Sequence, residues 1–284
     1  MRFTDVLKGK RLDPPPTWIM RQAGRYLPEY RKIRETEPDF ISFCLNPDKS
    51  CEVTLQPIER YQFDAAIIFS DILLVPWAMN RNVQFITEYG PSLDKLTSLK
   101  DIEIFAQKNL TNKYHPIGKA ITKIRQKLPS KTALIGFSGA PWTLMTYLIE
   151  GGSSRDFTTT KNFLWQNPSE ALGIIEVLTE KVVEFLILQA RQGVNALMLF
   201  DTWAGSVPFS WRSALIYRPH QKIIEKLQQN HIKLPFISFP KGIGEGLITY
   251  SEIVETNCIA LDHQTDPIWA NRVLPDNLAI QGNL

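Results

Sequence analysis

Five cations crowd one short stretch near the start of the chain: Arg21, Arg25, Arg31, Lys32 and Arg34. Arginine stays charged when desolvated and offers two parallel N–H donors to a carboxylate. Arg21 and Arg25, set around Gln22-Ala23-Gly24, can therefore hold a ligand that carries several carboxylates; the same stretch also reads as a solvated basic surface. Glycine at 24 lets the backbone turn or approach a ligand closely. Asp71 ends the run Ala65-Ala-Ile-Ile-Phe-Ser. An acid there is either a helix cap or a carboxylate held away from water, suited to gather N–H donors or to stabilise a developing cation. Asp201 and Asp262 also close apolar runs, and read as structural partners of nearby backbone or basic side chains.

Gly136-Phe-Ser-Gly-Ala-Pro141-Trp is a glycine-bearing turn from strand into helix, with proline placed for the first helical turn. It lacks the pattern of a phosphate-binding loop. Tyr147, inside the following helix, reads from its position alone as a core tyrosine with a satisfied hydroxyl. Lys241-Gly-Ile-Gly-Glu-Gly246 reads as a strand-end turn into a helix. His115, His220, His231 and His263 show no metal-ligand spacing. No Cys–His pair reads as a zinc site or as a nucleophile with its base.

The elements that must position these groups alternate along the chain. Short runs, apolar on both faces, are expected as buried strands at 18–20, 65–69, 133–137, 196–200, 236–239, 259–261 and 278–280. Between them, helical periodicity covers 50–61, 115–128, 141–150, 169–192, 219–230 and 244–256. Alternating strands and helices imply a parallel sheet with right-handed crossovers. A polar group follows each strand in turn: Arg21, Asp71, Ser138-Gly139, Asp201-Thr202, Lys241, Asp262 and Gly282-Asn283. Polar residues after many successive strands suit the mouth of a barrel better than the single switch point of an open sheet. Seven strands can be read, whereas a closed (β/α)8 TIM barrel needs eight.

Composition bounds the rest. The 284 residues are 44% hydrophobic and 21% charged, with a net charge of +3, which excludes a strongly basic nucleic-acid or membrane-binding surface. Cys44, Cys51 and Cys258 have no pairing pattern and read as reduced thiols of a cytoplasmic protein. No run approaches the ~20 apolar residues of a membrane span, and the first residues do not read as a signal peptide. One domain over 1–284 is expected.

Five stretches in order carry a resemblance. Pro16-Thr-Trp-Ile-Met-Arg21-Gln-Ala-Gly-Arg25-Tyr-Leu-Pro-Glu-Tyr30 is similar to the amino-terminal signature of the uroporphyrinogen decarboxylases. Asp64-Ala-Ala-Ile-Ile-Phe-Ser-Asp71, Gly139-Ala-Pro-Trp-Thr-Leu-Met-Thr-Tyr147, Leu199-Phe-Asp-Thr202-Trp-Ala-Gly205 and Ala279-Ile-Gln-Gly-Asn283 resemble later ones. The resemblance implies a cofactor-free, metal-free TIM barrel, acting as a homodimer in haem or chlorophyll synthesis. Its reaction removes carbon dioxide from the four acetate side chains of uroporphyrinogen III to give coproporphyrinogen III. Carried over by residue, Arg21 and Arg25 would bind substrate carboxylates along with the loop residues Gln22, Ala23 and Gly24, and Arg34 would assist. Phe40 would line the pocket. Asp71 would sit under the macrocycle and accept its pyrrole N–H groups. Tyr147 and Thr202 would hydrogen-bond carboxylates. Asp71 and Arg21 would be catalytic, Arg21 orienting the departing carboxylate and delivering the proton, with water or the substrate as other donors.

Members of that family extend past the Gln-Gly-Asn motif, so the expectation is a barrel without its last β/α segment and with impaired folding or activity. His263 stands where the family pattern would place a tryptophan. Two other readings compete: an inactive remnant that binds porphyrin or a partner subunit, and a barrel methyltransferase using zinc with a corrinoid or folate donor.

Overall fold

The computed structural model describes residues 1–37, 39–86 and 89–282. Eight strands are named in chain order: β1 (Ala65–Ile67), β2 (Gln84–Ile86), β3 (Gly90–Ser92), β4 (Ala133–Gly139), β5 (Ala196–Asp201), β6 (Phe236–Pro240), β7 (Cys258–Ala260) and β8 (Ala279–Gln281). β1 and β4 to β8 form one curled six-stranded sheet, parallel throughout and ordered as in the sequence. Every residue of β4, β5 and β6 is buried, as two-sided apolar runs require. Helices cross between the strands. The longest, Pro168–Arg191, buries Ile174, Leu178, Val182, Phe185, Leu186 and Gln189, at the three- and four-residue spacing of one helical face. No helix of the described residues is long and apolar enough to cross a membrane.

Six of the seven expected strands form. The exception is 18–20, which has no ladder. Its neighbourhood instead touches both ends of the sheet, mostly through side chains. Thr17 N–H donates to the Asp64 carboxylate at 2.8 Å, and Asp64 N–H returns to Thr17 C=O at 2.9 Å. The Trp18 indole donates to Gln281 of β8 at 3.2 Å. The Gln22 amide donates to Ala65 C=O in β1 at 3.3 Å and accepts from Ile19 N–H at 3.3 Å. Backbone polar groups at a sheet edge need partners of some kind, and here side chains take the place of a strand.

Other departures have local causes. The helix expected from Ser50 begins at Pro47, because Asn46 caps it by accepting from Asp48 and Lys49 N–H, both at 3.1 Å. The helix expected over 244–256 is Gly246–Ile253, since Gly244 is left-handed and Val254 extended. The antiparallel hairpin β2–β3 and the helices Pro28–Glu35, Phe40–Leu45, Thr158–Gln166 and Pro267–Val273 occupy stretches without a clear period.

β1 and β4 part company towards their carboxyl ends. Their last paired residues are Ile67 and Ile135. Beyond, Phe69 N–H bonds to Thr54 Oγ1 at 2.9 Å, and Phe69 C=O accepts from Ser50 Oγ at 2.8 Å. In β4, Phe137 N–H donates to Gln189 Oε1 at 2.9 Å, and Gln189 Nε2 donates to Phe137 C=O at 2.8 Å. A Cβ at Gly136 would lie 2.6 Å from Gln189 Oε1, so glycine there makes room for the clamp. Replacing Gln189 by Ala would strand a buried N–H and a buried C=O. The expected loss is about 2–4 kcal/mol of unfolding free energy, seen as a lower urea midpoint with an unchanged slope.

Candidate active site

A parallel sheet sends all its strand ends to one edge, so Asp71, Gly139, Asp201-Thr202, Lys241, Asp262 and Gly282 gather there; Asn283 lies outside the described residues. Loops knit this edge together. Gly205 N–H donates to Lys241 C=O at 2.9 Å, and a Cβ at Gly205 would meet Gly242 O at 2.7 Å. Gly242 N–H in turn donates to Asp262 Oδ2 at 2.8 Å. Burial pushes the Asp262 carboxyl up, but the N–H donors of Gly242, Gln264 and Thr265 outweigh it and hold the group below its ordinary range. Its role is structural, as its position suggests. Asp201 is likewise held, fully buried between the sheet and its helices, accepting from Thr143 Oγ1 at 2.6 Å.

Asp71 is both of the things an acid after a strand can be. Its Oδ1 accepts Leu73 N–H at 2.8 Å, steadying the turn into the Leu74–Ala78 helix. The side chain keeps some accessible surface, yet protein crowds it closely enough to push its pKa from 3.8 to about 6. Desolvation causes the rise; the Leu73 N–H and the charge of Arg21 oppose it. Tyr147, half-buried on the Pro141–Glu150 helix, senses the same two groups. Burial raises its phenol, Asp71 raises it further, and Trp203, Ser153 and Arg21 pull it down. Arg21, Asp71 and Tyr147 are therefore within reach of one another's charge. Tyr147 also leans on Trp203, with ring centroids 6.3 Å apart. Thr202, partly exposed, adjoins Trp203 at the end of β5.

The arginine loop divides. Arg21 and Arg25 are exposed, and Ala23 and Gly24 partly so. Gln22 is buried with its amide committed to backbone, so its side chain builds the loop and does not face out of it. Gly24 has no left-handed backbone, and a Cβ there would make ordinary contacts from 3.5 Å outward; neither a special turn nor crowding requires glycine. Arg34 lies over the rings of Phe40 and Phe43, at 5.6 and 5.7 Å. Phe40 meets Phe85 at 4.5 Å and Phe69 at 5.9 Å, within an aromatic group that ends two residues before Asp71. Buried Cys44 feels the charges of both Asp71 and Arg34, which places Arg34 at the margin of the cluster. Among the described residues no group of three or more His, Cys, Asp or Glu is placed to hold a metal ion.

Trp203 and Thr143 escape a reading of strand ends. Thr143 sits inside a helix, and a tryptophan after Asp-Thr carries no local sign of contact with Tyr147. A conformational test of Asp71 follows from its raised pKa. The folded chain holds that proton more tightly than the unfolded chain, so its stabilising effect is complete below about pH 4 and lost as pH rises through about 6. Asp71→Asn should raise the unfolding free energy at pH 7–8 by about 1–3 kcal/mol, allowing for its contact with solvent. The gain should vanish by about pH 4. Urea melts across this range check it; a gain independent of pH would contradict the assignment.

Comparison with known proteins agrees with this geometry. Residues 1–284 match the uroporphyrinogen decarboxylase (URO-D) family. The uroporphyrinogen decarboxylase of Rhodospirillum rubrum is 42% identical over 282 residues, covering 99% of this chain and 81% of that protein. Those of Maricaulis maris and Rickettsia bellii are each 41% identical, covering 98% and 97% of this chain and 81% of each relative. A methyltransferase from Methanosarcina mazei has the same fold, with a TM-score of 0.79 over 100% of this chain and 82% of that one. At 14% identity that likeness concerns the fold alone. By its match from the first residue to the last and by these relatives, the chain belongs to the uroporphyrinogen decarboxylase family.

Proposed function

We infer that the chain removes carbon dioxide from the four acetate side chains of uroporphyrinogen III, giving coproporphyrinogen III in porphyrin synthesis. The observation that carries this beyond family membership is that Asp71, Arg21 and Tyr147 lie within reach of one another's charge beyond the carboxyl ends of the strands. Asp71, partly buried and poorly solvated, is suited to accept pyrrole N–H donors. Protonating a pyrrole carbon makes that ring cationic and electron-accepting. The acetate C–C bond then breaks, its electron pair enters the ring, and carbon dioxide leaves. A proton on the exocyclic carbon and loss of the ring proton complete a methyl group, so each acetate consumes one proton. The ring itself is the electron sink, and an ionised Asp71 beneath it would stabilise the cation.

In this reading Arg21 and Arg25 bind substrate carboxylates, with Arg34 further out, and Arg21 orients the departing one. Its guanidinium is a weak acid, so Arg21, water and the substrate remain the three proton sources. Phe40 lines the pocket, while Tyr147 and Thr202 hydrogen-bond carboxylates. The same reading takes the curled sheet as part of a (β/α)8 barrel. The 0.79 TM-score supports that, as does the stretch 17–22, which ties β1 to β8. A cytoplasmic homodimer completes it; sedimentation of the purified chain tests the dimer.

Family membership at about 40% identity favours this over a zinc and corrinoid methyltransferase or an inactive remnant. An anaerobic assay with uroporphyrinogen III, read by chromatography after oxidation, should show coproporphyrinogen. Its absence with folded protein would overturn the reading. Asp71→Asn should bind substrate within about threefold of the parent but lose about 10²- to 10³-fold in kcat. The parent's kcat/KM should fall about tenfold per pH unit below about 6, as Asp71 takes up its proton in the free enzyme. A flat acid limb would remove the Asp71 charge from the mechanism.

A further inference from the structure

Behind the end of β5 lies a chain of buried polar groups that the reaction above does not use. Asp201, His220 and Tyr250 are all fully buried; His220 is on the Arg218–Gln229 helix and Tyr250 on the Gly246–Ile253 helix. His220 Nε2 faces Asp201 Oδ2 at 3.2 Å, an ion-pair distance, and neither atom makes a hydrogen bond among the described residues. His220 Nδ1 lies 2.8 Å from Tyr250 Oη. On its other oxygen Asp201 accepts the Thr143 hydroxyl at 2.6 Å. Thr143 Oγ1 accepts the Trp203 N–H at 3.1 Å. The carbonyl side of Trp203 is fixed too, since Trp142 Nε1 donates to Trp203 C=O at 3.0 Å.

The Thr143 end of this network has a definite direction. A carboxylate accepts at both oxygens, so Thr143 must give its proton to Oδ1 and keep a lone pair for Trp203 N–H. The His220 ring lies between Asp201 and Tyr250, with Nε2 toward Asp201 Oδ2 and Nδ1 toward Tyr250 Oη. The network ends on the peptide N–H that joins Thr202 to Trp203, and the Trp203 ring packs against Tyr147 and, at 5.0 Å, Phe157.

We propose that His220, backed by Tyr250, is a positioning residue for the decarboxylation: by orienting Asp201 it sets the Thr202–Trp203 peptide, and through it the Thr202 and Tyr147 hydroxyls. This rests on the decarboxylase reading for its kinetic consequence, and on geometry alone for its structural one. It differs from ordinary core packing in a testable way, because its effect must pass through Thr202 and Tyr147.

The experiment compares His220→Phe, His220→Gln and Tyr250→Phe in the anaerobic uroporphyrinogen assay and in amide hydrogen exchange. His220→Phe keeps bulk without a donor, and should lower kcat about 10- to 100-fold with KM within about threefold. His220→Gln, which can still donate to Oδ2, should recover about tenfold of that loss. In the double variant with Thr202→Ala the two losses should fall short of multiplying, as for residues acting as one unit. Exchange at the Trp203 amide should quicken about tenfold or more while the amides of Met198 and Phe200 hold. Parental kcat in folded His220→Phe, or losses that multiply in full, would overturn the proposal. Should His220→Phe not fold, Tyr250→Phe, lacking one hydroxyl, should still lower kcat about threefold or more; parental kcat there overturns it equally. If the parent chain itself releases no carbon dioxide, the decarboxylase reading has failed, and unchanged exchange at Trp203 separately decides against the positioning network.

Discussion

Asp71 stands just beyond β1, its carboxylate accepting Leu73 N–H and held where burial makes it hard to ionise. A carboxyl in that state is unfavourable for folding at neutral pH, so the surrounding structure must hold it there. Thr54 and Ser50, both buried on the Pro47–Tyr61 helix, fix the Phe69 peptide two residues earlier. The Phe69 ring packs against Tyr30, Phe40 and Phe43, with centroids between 4.8 and 5.9 Å. Burial of the carboxyl raises its pKa, and the Leu73 N–H and then the Arg21 charge offset only part of the effect. The site is thus assembled around an acid kept near its switching point.

β1 and β4 diverge shortly before Asp71. They separate after Ile67 and Ile135, and separation is possible because side chains receive the freed peptide groups. Gln189 serves Phe137, while Thr54 and Ser50 serve Phe69. Each is a polar residue buried on a helix, where an unpaired amide or hydroxyl would be strongly unfavourable. Burial of polar groups and separation of the strands are two sides of one arrangement.

What the sequence revealed follows the range of the interactions. The six strands of the sheet were legible because a two-sided apolar run is a local signal, and so was Asp71, whose place after such a run is visible without coordinates. The 18–20 run misled because its three apolar residues look like a short strand. Only Asp64, Gln281 and Gln22, the first two far away in the chain, reveal that most of its contacts with the sheet run through side chains. Gln189 sits 52 residues from Phe137, and on its own helix it looks like any polar position. His220 looked inert for the same reason, since a histidine without metal spacing gives no hint that Asp201 faces it. At Gly24 the left-handed turn that glycine permits is not used.

The division of charge across the edge of the sheet bears on turnover. Arg21 and Arg25 are exposed at the mouth, whereas Asp71 is recessed. Charges in contact with water are screened and attract over a short range, while the recessed one acts through a poorly polarisable surround. A tetrapyrrole held by its carboxylates at the arginine loop would therefore feel a weak, many-point grip at its rim and a strong field at its centre. Each decarboxylation removes a negative charge from the rim and leaves the centre unchanged. On the proposed roles of these residues, the grip would loosen as the reaction advances while the field that favours a cationic ring would not. A site so arranged spends its weak contacts on residence and its strong one on the transition state, which is the partition that favours turnover over mere binding.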